Sequence, residues 1–275
     1  MVKENLLKLD NSSYIIVNVS VASIYRKPNF SSELITQALI WEKLFLVDKN
    51  NNWFKIRQRD GYEGWIHSFY TVKPTVDDDK LFSKNNNWYW VKDRILHLLE
   101  DNNLISSISY GSLIPCFQDN EDFFTRLPNK RDQIKINRKS LISYNDEVEY
   151  KKNIKNSVKE LIGVPYLWGG KSSFGFDCSG LLQSILNTSN IKFLERDTSQ
   201  QILSSMLIKK NSKPNIGDIV FFKMEKRVDH VGIYINNSEF IHSSGCVKIN
   251  SIDKENKYYS SKLEGNLYGI YKINV

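Results

Sequence analysis

The stretch from Gly163 to Leu186, GVPYLWGGKSSFGFDCSGLLQSIL, constrains the fold of this chain more than any other segment. Its first half is rich in glycine, which allows backbones to approach closely and adopts φ values that other residues avoid. In its second half, apolar residues recur on one side of a predicted helix, and these are Leu181, Leu182, Ile185 and Leu186. The segment therefore predicts a glycine-rich loop that leads into a buried helix.

Cys178 lies where this loop meets the helix. Asp177 precedes it and can cap the helix, and the unpaired N–H groups of a helix N-terminus favour negative charge. A thiol in that position can have its pKa lowered from about 8.5 to between about 3.5 and 7.5, especially beside an imidazole. Cys178 is therefore a candidate nucleophile, and the alternative is a buried structural cysteine, as most free cysteines are.

The composition excludes several classes of protein. The chain has 275 residues, of which 41% are hydrophobic and 12% aromatic, so it can form packed cores, and its length predicts two or three domains. The net charge is +7, but the basic residues are scattered, so we expect no nucleic-acid partner. The three cysteines have no CxxC spacing, so we expect neither a disulfide framework nor a metal site, and no cofactor.

The sequence contains no segment typical of a membrane span or a signal peptide. No apolar run reaches about 18 residues, and Glu4, Lys8 and Asp10 interrupt the apolar residues of the N-terminus. We therefore expect no membrane partner and, if the sequence is complete, a cytoplasmic location. We also expect a monomer. If a signal segment has been removed, the prediction of a cytoplasmic location does not hold.

The first half of the chain predicts two small β units. Residues 14 to about 72 contain short apolar runs separated by turn residues, including the Asp60–Gly61 pair, and end in a Gly-Trp-Ile run that resembles a bacterial SH3-like domain. We place this domain at 1–75, a polar linker at 73–80, and a degenerate second copy at 80–143. His97 and Cys116 fall in the second copy, where we expect them to be core or edge residues.

Beyond residue 144 the pattern changes to helices and then back to strands. The first helical stripe ends at Gly163 and consists of Ile154, Val158, Leu161 and Ile162. A third helix is predicted in RDTSQQILSSML, with Thr198 and Gln201 as its capping box. Its stripe consists of Ile202, Leu203, Met206 and Leu207. Five apolar runs follow, from GDIVFFK to LYGIYKI, so residues 144–275 predict an α+β domain.

Two histidines, His230 and His242, follow the candidate nucleophile. A nucleophilic cysteine needs a base within hydrogen-bond reach, and the base needs a third group to orient it. If the loop between their strands is Asn236–Ser238, Ile235 pairs with Glu239 and the two rings are diagonal neighbours on one face of the sheet. A two-residue loop would place them on opposite faces, as two unrelated strand histidines.

The motifs FDCSGL, DHVGIYI and FIHSSG, in that order, resemble the NlpC family of papain-like cysteine peptidases, which cut cell-wall peptides. The resemblance covers roughly residues 145–275. With the preceding β units, it implies a multidomain chain of two small all-β SH3-like barrels followed by an α+β papain-like cysteine peptidase domain. It assigns Cys178 as nucleophile, His230 as base and His242 as the group that holds the base. Tyr166 would help the Cys178 N–H to stabilise the oxyanion, and the alternative is a packing aromatic.

The same resemblance implies how a substrate is bound. Asp197 would meet the free α-amine of an L-Ala residue, and Ser179 and Thr198 would contact a D-Glu residue. The first SH3-like domain would add an acidic and a tyrosyl contact from Glu42 and Tyr62. The full set of predicted substrate-binding residues is Asp177, Ser179, Arg196, Asp197, Thr198, Glu42, Tyr62 and Trp168, the last as a wall of the cleft. The alternative for Asp197 and Thr198 is that they cap the third helix.

The resemblance implies hydrolysis of the γ-D-glutamyl–diaminopimelate bond in short peptides with a free N-terminus, as part of murein recycling. One alternative is a hydrolase of intact exported peptidoglycan, anchored through its SH3-like domains. Another is an acyltransferase or amide hydrolase acting on other acyl groups. A non-enzymatic binding module is disfavoured by the presence of Cys178, His230 and His242.

Overall fold

The computed structural model describes residues 13–83, 87–145, 149–192, 195–224 and 227–274. Within these ranges the chain forms two all-β units followed by an α+β unit, as predicted. In the same part of the chain, no helix is long and apolar enough to span a membrane.

The first unit is an antiparallel sheet with strand order β3-β2-β6-β5-β4-β1-β7. Its strands are β1 (Tyr14–Val17), β2 (Val21–Tyr25), β3 (Leu34–Leu39), β4 (Lys43–Asn50), β5 (Trp53–Arg57), β6 (Glu63–His67) and β7 (Thr71–Val72). Gly61, in the predicted turn, has a φ of +82° that favours glycine. At Gly64 a Cβ atom would lie 2.4 Å from Cγ2 of Ile24, so only glycine fits the packing of β6 on β2.

The second unit combines a sheet of strand order β13-β12-β11-β8-β14 with the hairpin β9–β10. Its strands are β8 (Trp88–Val91), β9 (Ile95–Glu100), β10 (Asn103–Ser109), β11 (Leu113–Asp119), β12 (Asp122–Thr125), β13 (Ile134–Ile136) and β14 (Leu141–Ser143). Cys116 is buried in its core, whereas His97 is exposed on β9. The core extends into the first unit, because Trp41 packs on Trp88 with ring centroids 6.0 Å apart and donates from Nε1 to the Arg126 carbonyl at 2.9 Å.

The prediction of a structureless linker at 73–80 is wrong in part, because helix α1 spans Val76–Ser83. Three aspartates occupy its first turn, where negative charge stabilises a helix. Asp78 is fully buried and pairs with Arg126 at 2.7 Å. The pattern gave no helical signal because α1 buries a single apolar side chain, Leu81.

The third unit packs helices against an antiparallel sheet of strand order β17-β22-β18-β19-β20-β21. Its elements are α2 (Tyr150–Leu161), β15 (Lys171–Ser172), β16 (Gly175–Phe176), α3 (Cys178–Thr188), α4 (Thr198–Gln201), β17 (Leu207–Lys210), β18 (Ile219–Met224), β19 (Arg227–Tyr234), β20 (Glu239–Ser244), β21 (Cys246–Ser251), α5 (Ser261–Gly265) and β22 (Leu267–Ile273). The predicted α2 stripe packs at Ile154 and Leu161, but Ile162 already ends the helix and is exposed. Helix α3 packs between α2 and β19, which positions Cys178.

The predicted third helix is much shorter than its apolar stripe suggested. Helix α4 ends at Gln201, Leu203 is 82% exposed, and Leu207 begins strand β17 by pairing with Ile273. The predicted capping box is also wrong, because the capping residues are Asp197 and Gln200 rather than Thr198 and Gln201. Pairing of β17 with the sheet edge outweighs the local helical pattern here.

Candidate active site

Cys178 is the first residue of helix α3, and Asp177 caps that helix as predicted. Oδ1 of Asp177 accepts the N–H of Gly180 at 2.6 Å. A Cβ atom on Gly180 would lie 2.2 Å from the carbonyl oxygen of Gly170, so the glycine-rich loop can pass over the first turn of the helix only because Gly180 lacks a side chain. The thiol is almost completely buried, at 8% exposure.

The Cys178 thiol contacts the two elements that flank the helix N-terminus. Its Sγ lies 3.7 Å from Oγ1 of Thr198 and 3.8 Å from the carbonyl oxygen of Asp229. The N–H of Val231 also hydrogen-bonds the sulfur. The backbone on both sides of His230 therefore packs against the nucleophile, although no hydrogen bond joins Sγ to the His230 ring in the described structure.

A buried ion pair holds the helix N-terminus in place. Arg196 is 1% exposed, and its guanidinium donates to both carboxylate oxygens of Asp177, at 3.0 and 2.7 Å. It also donates to Oγ of Ser179 at 2.9 Å and to Oγ1 of Thr36, in the first β unit, at 2.9 Å. Through these contacts Asp177, Ser179 and Arg196 form one hydrogen-bond network around Cys178 at the start of helix α3. Contact of the three side chains with a substrate stays a prediction.

We expect Arg196→Met to lower the free energy of unfolding by about 3–5 kcal/mol, because it leaves the Asp177 carboxylate buried without its partner. Urea unfolding followed by tryptophan fluorescence measures the change. Lys135→Met is the control, because Lys135 pairs with Asp122 on the surface, where such pairs contribute at most about 1 kcal/mol. Equal effects of the two substitutions would contradict this account of Arg196.

The two histidines lie side by side on one face of the sheet. Nε2 of His230 is 2.7 Å from Nδ1 of His242. The N–H of Ile235 donates to the carbonyl of Glu239 at 2.8 Å, so the connecting loop has the predicted odd length. This confirms the arrangement on which a relayed pair of imidazoles depends.

Asn250, which the sequence analysis missed, determines which nitrogens of the pair carry protons. Its Nδ2 donates to the carbonyl of Tyr258 at 3.0 Å, so its Oδ1, 2.8 Å from Nε2 of His242, is the acceptor of that contact. Neutral His242 then carries its proton on Nε2 and accepts at Nδ1 from Nε2–H of His230. The Nδ1 lone pair of His230 is therefore left free to take a proton.

Burial decides the resting protonation states. It raises the pKa of the Cys178 thiol to about 11, with a further increase from the Asp177 charge. Burial also lowers the pKa of His230 and of His242 well below the ordinary value. The expected lowering of the thiol pKa by the helix N-terminus is thus wrong for the resting protein, because loss of solvation outweighs it. The thiol and both imidazoles are therefore neutral at rest.

Asp197 and Thr198 lie at the start of α4, which packs against β19, and Thr198 contacts the thiol. Oδ2 of Asp197 accepts a hydrogen bond from the Tyr62 hydroxyl at 2.9 Å, so the first β unit reaches the site. Burial and the Asp197 charge raise the pKa of Tyr62, which keeps the phenol protonated as a donor. Asp197 caps α4 while Thr198, the next residue, contacts the sulfur, so a capping role does not keep these residues away from the thiol.

Comparisons with known proteins agree with this geometry. The profile of the NlpC/P60 family matches residues 163–267, a segment that contains the cysteine and both histidines. The chain carries an NlpC/P60 domain. A profile described as the bacterial dipeptidyl-peptidase SH3 domain matches residues 24–68, in the first β unit. Since NlpC/P60 peptidases are cysteine peptidases, the chain is a hydrolase of that class.

Two curated relatives and one solved structure match most of this chain. A γ-D-glutamyl-L-lysine dipeptidyl-peptidase of Bacillus cereus is 27% identical over 78% of this chain and 68% of its own length. Dipeptidyl-peptidase 6 of Lysinibacillus sphaericus is 23% identical over 93% of this chain and 97% of its own length. The crystal structure of an NlpC/P60 family protein from Bacillus cereus has a TM-score of 0.80 at 22% identity, over 96% of this chain and 100% of that one, and shows the shared fold.

Tyr166 lies in the glycine-rich loop, within electrostatic reach of Cys178. Its N–H donates to the Gly245 carbonyl at 2.9 Å, which ties the glycine-rich loop to the β20–β21 turn. Burial raises the pKa of its hydroxyl to about 12, and the nearby Cys178 and Asp177 side chains add to the increase, so the hydroxyl keeps its proton and can donate. Its role in stabilising an oxyanion stays a prediction.

Of the two residues predicted from the first β unit, the structure brings Tyr62 to the site but places Glu42 elsewhere. Glu42 accepts from Nε2 of Gln58 at 2.6 Å and pairs with Lys171 at 3.6 Å. It lines a separate cavity of about 410 Å³ between the three units, together with Trp41. Lys171 and Gln58 already satisfy its carboxylate, so the structure does not support the predicted contact of Glu42 with the substrate.

The acidic residue of the first β unit that contacts the glycine-rich loop is Glu33, which the sequence did not indicate. It accepts from Nε1 of Trp168 at 3.2 Å and pairs with Arg26 at 2.6 Å. The charge of Arg26 in turn acts on Tyr62. Trp168 is 60% exposed, and its place in the wall of a substrate cleft stays a prediction. No local pattern marks Glu33, because its relevance depends on how the domains dock.

Proposed function

We propose that this chain is a cysteine peptidase that hydrolyses the γ-D-glutamyl–diaminopimelate bond of cell-wall peptides with a free L-Ala N-terminus. The observation that carries the proposal is the hydrogen bond from Tyr62 to Asp197. It brings the first β unit against a carboxylate one residue before the threonine that contacts the Cys178 sulfur. A carboxylate in that position pairs well with a substrate ammonium.

In this proposal Cys178 acts as the nucleophile and His230 as the base. Nδ1 of His230 takes the thiol proton as Sγ attacks the γ-carbonyl carbon, because the resting thiol is neutral. The N–H of Cys178 and the Tyr166 hydroxyl stabilise the oxyanion. His230 then protonates the leaving amine as the C–N bond breaks. Water, deprotonated by His230, cleaves the thioester and the sulfur regains its proton.

The names of the relatives support cleavage after a γ-D-glutamyl residue, with L-lysine as the leaving residue in two of the names. Two of them are called γ-D-glutamyl-L-lysine dipeptidyl-peptidase, and a third is dipeptidyl-peptidase 6. The proposed role is recycling of wall peptides that have already been released, in the cytoplasm, and fractionation of native cells checks that location. The alternative of an anchored hydrolase of intact wall is disfavoured, because Tyr62 of the first SH3-like unit is engaged at the cleft instead of being available to bind wall polymer.

Cleavage of L-Ala-γ-D-Glu-diaminopimelate and of its N-acetylated form tests the proposal. We expect acetylation to lower kcat/KM by about 30-fold or more, because the neutral amide leaves Asp197 without its ionic partner. Liquid chromatography of the released diaminopimelate measures both rates. Asp197→Asn provides the matched control, since it should weaken cleavage of the free peptide and largely remove the effect of acetylation. Equal rates on the two peptides, or activity on intact sacculi alone, would contradict the proposal.

A further inference from the structure

A row of side chains crosses the sheet behind the catalytic histidine. Phe222 on β18 is directly opposite His230 on β19, and His230 bonds His242 on β20. His242 is in turn directly opposite Lys248 on β21. Directly opposed residues of antiparallel strands share a face and are near neighbours. Lys248 is therefore the next side chain in the row after the two imidazoles.

Helix α5 brings a second lysine to the same place. Its Leu263 packs into the small core that contains Phe222 and Phe240, so the helix lies against the sheet next to the row. Lys262 precedes Leu263 and is exposed. The charges of Lys248 and Lys262 both lower the pKa of His230, so both ammonium groups lie within electrostatic reach of its ring.

Neither ammonium group is neutralised. Among the residues that the structure describes, no carboxylate oxygen lies within 4.0 Å of Lys248 or Lys262, whereas their neighbour Lys254 pairs with Glu264 at 3.6 Å. Lys248 is half-buried, which strengthens its field. Two unpaired cations beside a general base disfavour the imidazolium that must form during the reaction. An anion bound between them would remove this disadvantage.

The substrate itself can supply that anion. His230 protonates the nitrogen of the leaving residue, so the leaving residue is the part of the substrate nearest to the row. A diaminopimelate residue ends its side chain in both a carboxylate and an ammonium group, whereas a lysine side chain ends in an ammonium group alone. Asp197, one residue before the threonine that contacts the Cys178 thiol, adds a carboxylate, so the site offers a negative charge for the free amine and positive charges for the side-chain carboxylate of such a peptide.

We infer that Lys248 and Lys262 bind the side-chain carboxylate of the leaving diamino acid and thereby select diaminopimelate peptides over lysine peptides. The inference rests on the proposed function, to which it adds the residues that determine the specificity for the leaving amino acid. Binding of the carboxylate also stabilises protonated His230, so the selection acts on kcat as well as on KM.

The test measures kcat/KM on three tripeptides, L-Ala-γ-D-Glu followed by diaminopimelate, by diaminopimelate amidated at its side-chain carboxylate, or by L-lysine. We expect the native protein to prefer the first over each of the others by about tenfold or more. The ratio should fall to within about threefold in the double variant Lys248→Met, Lys262→Met, and Lys248→Glu should favour the lysine peptide. Lys248→Arg should keep the preference.

Lys257→Met is the matched control, because Lys257 is exposed on the segment between β21 and helix α5 and its charge does not act on His230. Each preference is a ratio within one variant, so general damage to folding or catalysis cancels. Equal rates on all three tripeptides with the native protein, or an unchanged ratio in the double variant, would overturn the inference alone. Cleavage of none of them would overturn the proposed function and the inference with it.

Discussion

Replacing Cys178 with alanine is expected to lower kcat/KM on the free tripeptide by at least about 10⁴-fold, because the variant has no atom that can form the thioester. The fold should persist, since alanine fills most of the space of this buried thiol and leaves the Asp177 cap and its Arg196 partner in place. Single-turnover kinetics measure the loss. A far-ultraviolet circular dichroism spectrum and an unfolding curve verify the fold.

Two other cysteines serve as controls for this substitution. Cys116 is buried in the core of the second β unit, and Cys246 lies in β21 beside Pro165. Cys116→Ala and Cys246→Ser should each leave kcat/KM within about threefold of the native value, since neither sulfur contacts the Cys178 thiol. Turnover of Cys178→Ala above one thousandth of the native rate would reject the assignment of the nucleophile.

His230→Ala is expected to lower kcat/KM by about 10³-fold or more. The reason is the resting state of the site, in which burial holds the thiol protonated, so that a base has to take the proton as the sulfur attacks. The geometry leaves Nδ1 of His230 free for this purpose, because Nε2 is bonded to His242. Steady-state kinetics measure the loss between about pH 5 and 8, the range in which histidine normally titrates.

Two comparisons separate a base from a merely structural histidine. His97→Ala should leave activity unchanged, since His97 is exposed on the second β unit. Asn250→Ala should lower kcat by about tenfold with little change in stability, because it removes the acceptor that fixes the His242 tautomer. If His230→Ala retained more than a tenth of native activity, another group would have to be the base.

The resting protonation states also explain why the site is assembled from three elements. A buried neutral thiol is unreactive, so a peptide has to enter and align before proton transfer becomes favourable. Thr198 contacts the thiol, Asp197 next to it contacts Tyr62, and the backbone beside His230 contacts the same sulfur. In the proposed function, a peptide without a free amine would lose its contact with Asp197. Selectivity and activation would then be coupled in a single binding event.

Much of the site was predictable from local patterns in the sequence. The helical stripe behind Cys178 and the glycines before it predicted the loop-to-helix junction, because periodicity and glycine content reflect backbone geometry directly. The same holds for the imidazole pair. A loop of odd length between two strands with alternating side chains leaves one geometry for His230 and His242, and the hydrogen bond at 2.7 Å confirms it.

Contacts between residues far apart in the sequence did not follow from local patterns. The positions of Tyr62 and Asp197 differ by 135 residues in the sequence, and their hydrogen bond forms through the docking of the first β unit on the NlpC/P60 domain. The same docking brought Glu33 to the glycine-rich loop and left Glu42 in a separate cavity. The short helix α4 is a similar case, since the pairing of Leu207 with Ile273 decided where the helical pattern stopped.

The sequence by itself thus determined that Cys178 lies at a helix N-terminus, that the two imidazoles share a face and that the first unit consists of short strands, because each follows from the spacing of neighbouring residues. The tertiary structure alone decided the protonation of the site and the partners of its charged groups. Burial sets a pKa, and the burial of Cys178, Arg196 and His230 results from the packing of segments far apart in the chain.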